Sequence, residues 1–434
     1  MKLPFTKHTL ANGLDVVLHE DHACPIVAVN VWYHVGSKNE RPGHTGFAHL
    51  FEHLMFEGSQ HHDHGYFPPL QGAGATLNGS TNADRTNYWE VLPANALELA
   101  LWMESDRMGY LLPALTEAKF SNQRDVVLNE RRQNYENRPY GLAPMAMLAA
   151  LFPPDHPYHW ATIGEIADLN RLRLDEVQAF FARYYHPANA SLALAGDLEP
   201  EEALALVRGY FETLEPGEAV APVSARASLD REVRIRLEDR VELPRLYIAW
   251  LTPAMFAEGD AELDLASDLL ANGKTSRLYR RLVFDERIAT DVSASQNSRE
   301  IAGFLQIAAT ASPGHTLAEL ARAIVEEVVR LAAEGPTDDE IERGRVQAEA
   351  QFIFRLQTVG GFGGKSDQLN AYNVFVGEPG YFHEDLTRYQ RVTKQLLQQA
   401  VARYLDPARR VTLSIVPRGR TELAVPESTP AVVS

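Results

Sequence analysis

Apolar residues at Phe47, Leu50, Phe51, Leu54 and Met55 fill positions i, i+3, i+4, i+7 and i+8, the period of a helix with one buried stripe. Residues 200–214 and 261–273 carry the same period, as do residues 116–137, with Phe120, Val127, Leu128 and Tyr135 on one side. Alternating or continuous apolar runs predict strands at 27–35, 88–92, 191–196, 246–251 and 411–416. These strands and helices follow no regular βαβ rhythm. The expected fold class is therefore α+β, with helices packed on mainly antiparallel sheet.

The pattern repeats. Residues 180–191 (FFARYYHPANAS) are echoed by residues 400–411 (AVARYLDPARRV), each ending a helix, turning at proline and entering an apolar strand. The strand at 27–35 precedes the helix at 46–58 as the strand at 246–251 precedes the helix at 261–273. Between the halves, residues 214–229 (LEPGEAVAPVSARASL) lack either period and read as a linker. Two homologous domains of about 215 residues are expected, 1–215 and 231–434, joined by 216–230.

Composition narrows the function classes. Of the 434 residues 45% are hydrophobic and 23% charged, the balance of a soluble globular protein. The most apolar uncharged run, 142–154, falls short of the ~18 residues of a membrane helix and ends in Pro153-Pro154. A net charge of −17 disfavours nucleic acid and anionic lipid as partners. The single cysteine, Cys24, excludes a disulfide framework and any multi-cysteine zinc site. The first residues (MKLPFTKHTLANGLDVVL) contain no signal-peptide core, which predicts a cytoplasmic location, or a periplasmic one if an export signal has been removed.

The candidate chemistry lies on the first helix. His49, Glu52 and His53 cluster opposite its apolar stripe, with the two imidazoles one turn apart and able to reach one ion. The order His-x-x-Glu-His is that of the inverzincin metallopeptidases. Two imidazoles and a carboxylate suit one Zn2+ per chain with a fourth position open to water. Glu52 is then placed to act as general base. Within 116–137, Glu130 sits near the edge of the apolar stripe and can face inward; the competing reading is a surface ion pair with Arg131 or Arg132.

Taken together, these residues resemble the pitrilysin, insulin-degrading enzyme and mitochondrial processing peptidase family. In that family a second glutamate lies 77 positions after the last motif histidine, which here is Glu130. Further similarity runs through residues 10–16, 78–88, 156–158, Ile163-Gly164, 185–189 and 270–282. The resemblance implies His49, His53 and Glu130 as zinc ligands, Glu52 as catalytic base, and Asn78 and Gly79 as the site where an extended peptide adds to a strand edge. A tight turn at Asn78-Gly79 is the alternative.

Two positions depart from the family. Gln123 stands where a supporting glutamate is frequent, and can orient a neighbour without carrying charge. In the second half, the family's arginine and tyrosine, which hold substrate and developing oxyanion, are matched by Val283 and Thr290. Losing one such donor costs about 10²–10³ in rate. The expectation is a zinc endopeptidase acting on peptides or unfolded segments, as the zinc-bearing subunit of a heterodimer whose partner supplies the clamp. A self-sufficient homodimer and a non-catalytic core subunit of the same fold are the alternatives.

Other features carry less. His61, His62 and His64 fit a solvated loop, because their spacing matches no helix face. The run 360–364 (GGFGG) before Lys365-Ser366 lacks phosphate-loop spacing, since Val359 stands where the opening glycine belongs; it reads as a joint between helices. No nucleophile elbow of the Gly-x-Ser-x-Gly kind occurs. The tail, 425–434, is expected to fray.

Overall fold

The computed structural model of the chain describes residues 3–433. Its strands form two six-stranded sheets. The first comprises β1 (Thr6–Thr9), β2 (Asp15–Glu20), β3 (Ile26–Tyr33), β4 (Thr76–Thr81), β5 (Thr86–Pro93) and β6 (Ala190–Gly196), in the order β1-β2-β6-β3-β5-β4. The second comprises β7 (Val233–Asp239), β8 (Arg245–Thr252), β9 (Ala289–Asn297), β10 (Gly303–Ala311), β11 (Val411–Pro417) and β12 (Thr429–Pro430), in the order β12-β7-β11-β8-β10-β9.

The sheets repeat one topology. In the first, β2 runs parallel to β6, and β6-β3-β5-β4 continue antiparallel. In the second, β7 runs parallel to β11, and β11-β8-β10-β9 continue antiparallel. The central strands β3 (IVAVNVWY) and β6 (ASLALAG) are buried nearly throughout, as a strand covered on both faces requires. The fold is α+β, as the mixed apolar periods predict.

Contacts do not divide the chain at the linker alone. One compact unit contains residues through Asn129, Thr162–Val223 and Gln351–Glu384; the other contains Glu130–Ala161, Ser224–Ala350 and the residues from Asp385. Each unit thus takes one helical segment from the other half of the sequence. In the first unit the Lys365–Val376 helix covers one face of the sheet, with Leu369 packed on Val17 and Ala193. Its Asp367 Oδ1 accepts hydrogen bonds from Trp32 Nε1 at 2.8 Å, Asn87 Nδ2 at 3.1 Å and Asn30 Nδ2 at 3.3 Å. In the second unit the apolar Ala143–Leu151 helix packs on β8 and β11. Helices Asp260–Ala271, Leu317–Glu334 and Lys394–Tyr404 join the core built around Trp250 and Leu305.

The tail differs from expectation. Thr429 and Pro430 pair with Ile235 and Arg236 as β12, and Ala431 N donates to Arg236 O at 2.8 Å. Backbone hydrogen bonds to an otherwise open sheet edge, which sequence polarity does not report, hold it down. Among the described residues no helix is long and apolar enough to cross a membrane.

Candidate metal centre

The Phe47–Leu54 helix buries Phe47, Ala48, Leu50, Phe51 and Leu54, leaving His49, Glu52 and His53 half-buried on its other face. Its first turn is heavily held. Glu40 accepts from Gly46 N at 3.0 Å and Ala48 N at 2.9 Å, occupying amides that a helix start leaves open. Asp168 Oδ2 accepts from Thr45 N at 3.1 Å and Thr45 Oγ1 at 2.8 Å. A carboxylate here also meets the positive end of the helix dipole.

Glu130 arrives on the Glu117–Arg131 helix, whose Phe120, Val127 and Leu128 are buried as the stripe predicts. The boundary between the two units falls at Asn129/Glu130, so Glu130 is carried by the last turn of a helix rooted in the first unit. Beyond it the backbone widens into a π-helical turn, Arg132–Glu136. Asn134 Nδ2 donates to Glu130 Oε1 at 3.3 Å. Burial, and then the nearby Glu130 carboxylate, push the Tyr135 hydroxyl above its usual pKa.

These two helices bring His49, His53 and Glu130 together: one ligand atom from each lies within 4.8 Å of the others. The imidazole centroids are 4.9 Å apart at an interplanar angle of 79°. Two nitrogens and a carboxylate oxygen, half-buried and gathered so closely, fit a zinc ion, whose ligand bonds of about 2.0–2.2 Å set donors roughly 3.4 Å apart. The other such group among the described residues, Glu20, His22 and Glu199, is fully exposed.

Glu52 and His53 line a cavity of about 390 Å³, together with Asn78 and Gln123. Phe56, Glu57 and Phe67 complete its wall. Gln123 Nε2 donates to Glu57 Oε1, tying the Glu130-bearing helix to the segment that follows His53. Asn78 and Gly79 lie inside β4 rather than in a turn, paired with Trp89 and Tyr88 of β5. β4 is the last strand of its sheet, paired with β5 on one side only among the described strands. Asn78 Oδ1 accepts from Gly79 N at 2.8 Å.

Sequence reasoning passed over Phe56, Glu57, Phe67 and the cap Glu40. Glu57, one turn after His53, was within reach of an i, i+4 argument; Phe56 and Phe67 looked like ordinary core. In the second unit Val283 is half-buried against the core, and Thr290 is exposed on the edge strand β9 with its hydroxyl 3.4 Å from Thr310 O. His61 bonds to Asp106, and the three loop histidines enter no metal-type group among the described residues. The Gly360–Gly364 run joins the Asp338–Arg355 and Lys365–Val376 helices.

The family model described as Insulinase (Peptidase family M16) matches residues 15–155, which include His49, Glu52, His53 and Glu130. The one described as Peptidase M16 inactive domain matches residues 171–347, which include Val283 and Thr290. A zinc protease of Helicobacter pylori named PqqE is 30% identical over 390 residues, spanning 88% of this chain and 85% of that protein. The crystal structure of a protease from Helicobacter pylori superposes with a TM-score of 0.87 at 26% identity, covering 95% of this chain and 100% of that one. The periplasmic protease PqqL from Escherichia coli matches in fold with a TM-score of 0.79 at 18% identity, covering 98% of this chain but 50% of that one.

Proposed function

Because the chain belongs to the insulinase family, peptidase family M16, we propose that it is a zinc-dependent endopeptidase that cleaves peptides or unfolded polypeptide segments. The observation that carries this reading is the meeting of His49, His53 and Glu130, with Glu52 beside them in a cavity bordered by the edge strand β4. That the relatives include a named zinc protease supports zinc as the metal.

When bound, zinc would supply Lewis acidity toward the scissile carbonyl and toward water. The protein's own residues do the rest. The edge of β4 at Asn78 and Gly79 aligns an extended substrate by backbone hydrogen bonds, which select conformation more than side chain. The Glu52 carboxylate takes a proton from the attacking water and delivers it to the leaving amine nitrogen. Gln123, through Glu57, holds the two metal-bearing helices together.

The second half supplies no arginine–tyrosine clamp, because Val283 and Thr290 occupy the matching positions. The active form is therefore proposed to be a heterodimer whose homologous partner carries the clamp. A fold match to one half of a longer protease is consistent with two such chains working as a pair.

The deciding experiment is zinc stoichiometry of the purified chain, followed by cleavage of an unstructured peptide by wild type and Glu52→Gln, alone and with the candidate partner. The expected result is one zinc per chain in both proteins, with cleavage only by wild type and stimulated by the partner. Zinc bound with cleavage unaffected by the substitution would remove Glu52 as the base.

A further inference from the structure

Behind the cavity wall lies a charge with no part in the chemistry above. Arg107, on the Leu97–Ala114 helix, is 1% exposed, and its neighbours Glu104 and Glu90 are 0% exposed. Arg107 Nε donates to Glu104 Oε2 at 2.9 Å, and its Nη2 donates to Glu104 Oε1 and lies 3.7 Å from Glu90 Oε1. Tyr66 donates its hydroxyl to Glu90 at 2.7 Å. Burial, and then the adjacent Glu104, push the Glu90 carboxyl well above the usual range, beside the buried Arg107–Glu104 ion pair. Desolvating such a pair is expensive, and apolar residues of similar volume frequently serve stability as well or better. Fold stability alone is thus a poor reason for this arginine.

Its contacts suggest another. The guanidinium carbon lies 3.8 Å from the ring centroid of Tyr66, 4.2 Å from that of Tyr88 and 5.6 Å from that of Phe56, within cation–π range. Phe56 lines the cavity. Tyr88 donates its hydroxyl to Phe51 O, in the metal-bearing helix, at 3.2 Å. A Cβ on Gly79 would stand 3.2 Å from Phe56 Cε2 and 3.0 Å from Tyr88 Cδ1, so both rings, set edge to face at 74°, crowd the edge strand at this glycine.

We propose that Arg107 is a positioning residue for peptide binding: its buried guanidinium clamps Phe56 and Tyr88 against Gly79, setting the cavity wall and the level of the β4 edge together. This rests on the peptidase reading for its substrate, a peptide in extended conformation. An apolar replacement would leave the core filled but let the rings shift. The loss should then appear in substrate binding rather than in metal content.

The test compares wild type, Glu104→Met/Arg107→Met and Arg107→Lys. Zinc stoichiometry, KM and kcat are measured, with the Kd of a fluorescent unstructured peptide measured in the Glu52→Gln background. The double variant is expected to bind zinc normally while KM and Kd rise about tenfold or more and kcat changes less than about threefold. Arg107→Lys, which keeps the charge but loses the planar stack, should fall between. A zinc-loaded double variant with wild-type KM and Kd would overturn the proposal. Should that variant not fold, wild-type binding by Arg107→Lys would do so. Absence of cleavage by wild type with the partner present counts against the peptidase reading instead, and the Kd series still decides the role of Arg107; if the Glu52→Gln protein with Arg107 intact binds no peptide, the proposal falls.

Discussion

Gly46 and Gly164 meet backbone to backbone. A Cβ on Gly164 would stand 2.5 Å from Gly46 Cα and 2.7 Å from Gly46 N, and both residues have left-handed φ, +80° and +94°. Gly46 begins the metal-bearing helix, three residues before His49, so this contact fixes where the helix starts. Gly164→Ala should destabilise the protein by about 2–4 kcal/mol, combining overpacking with the αL penalty. Gly43→Ala is the control: its φ is +82° but nothing lies within 4 Å of the added carbon. It should lose only about 1 kcal/mol. Denaturant unfolding of the two variants, alongside zinc affinity, separates crowding from backbone strain.

Glu40 holds the same helix from the other side. Its carboxylate satisfies Gly46 N and Ala48 N, and removing it leaves buried donors exposed to nothing. Glu40→Ala is expected to lower stability by about 1–3 kcal/mol. Because His49 lies within the same first turn, zinc affinity should fall with it. Unfolding curves with and without zinc would show a larger loss in the zinc-loaded protein.

Metal and fold should be thermodynamically linked. Zinc at about 100 times its Kd adds roughly 2.7 kcal/mol to any protein whose folded form alone binds it. Chelation should therefore lower the melting temperature of wild type and abolish cleavage. Glu130→Gln removes the charged oxygen donor, and zinc affinity should drop by more than about 100-fold, beyond the range of outer-shell substitutions. Its melting temperature should then be insensitive to chelator. A Glu130→Gln protein that keeps wild-type zinc affinity would place the third ligand elsewhere.

The Phe47–Leu54 helix and its candidate ligands were legible because the candidate chemistry and the period sit on one short segment. Phe47, Leu50, Phe51 and Leu54 point one way and His49, Glu52 and His53 the other, and no distant residue is needed to see it. Glu130 is different. Its own helix shows only an edge position, and nothing local distinguishes a ligand from a surface ion pair; the family's spacing selected it. Ile163-Gly164 was likewise visible only as a landmark, since the reason for the glycine is a backbone 118 positions earlier. The exchange of helical segments between the two units was not legible at all. The apolar run 142–154 announces burial, but burial against β8 and β11 rather than against its own half depends on which sheet face is left uncovered. Phe56 and Phe67 failed for a related reason: an aromatic that lines a cavity and one that fills a core have the same local pattern.

Buried histidines, His19 and His156 among them, predict how stability depends on pH. Burial lowers the pKa of His19 and of His156 below the ordinary 6.5. His19 donates Nδ1–H to Pro4 O at 2.7 Å, and His156 Nδ1 accepts from Tyr158 N at 3.0 Å. Among the described residues no hydrogen-bond partner faces the remaining ring nitrogen of either. Each imidazole is thus neutral in the folded protein and protonates more readily once unfolded. The unfolded state binds more protons below pH 6.5, so the contribution of both groups is fully present above that value and is lost as pH falls through the folded-state pKa. Unfolding free energy of the metal-free protein should therefore be lower at about pH 5.5 than at about pH 7.5. His19→Gln/His156→Gln removes both titrations and should shrink the difference between the two pH values, even if the variant is less stable at each. An unchanged difference in the double variant would mean that other groups, such as His186, whose pKa burial also lowers, carry the acid sensitivity.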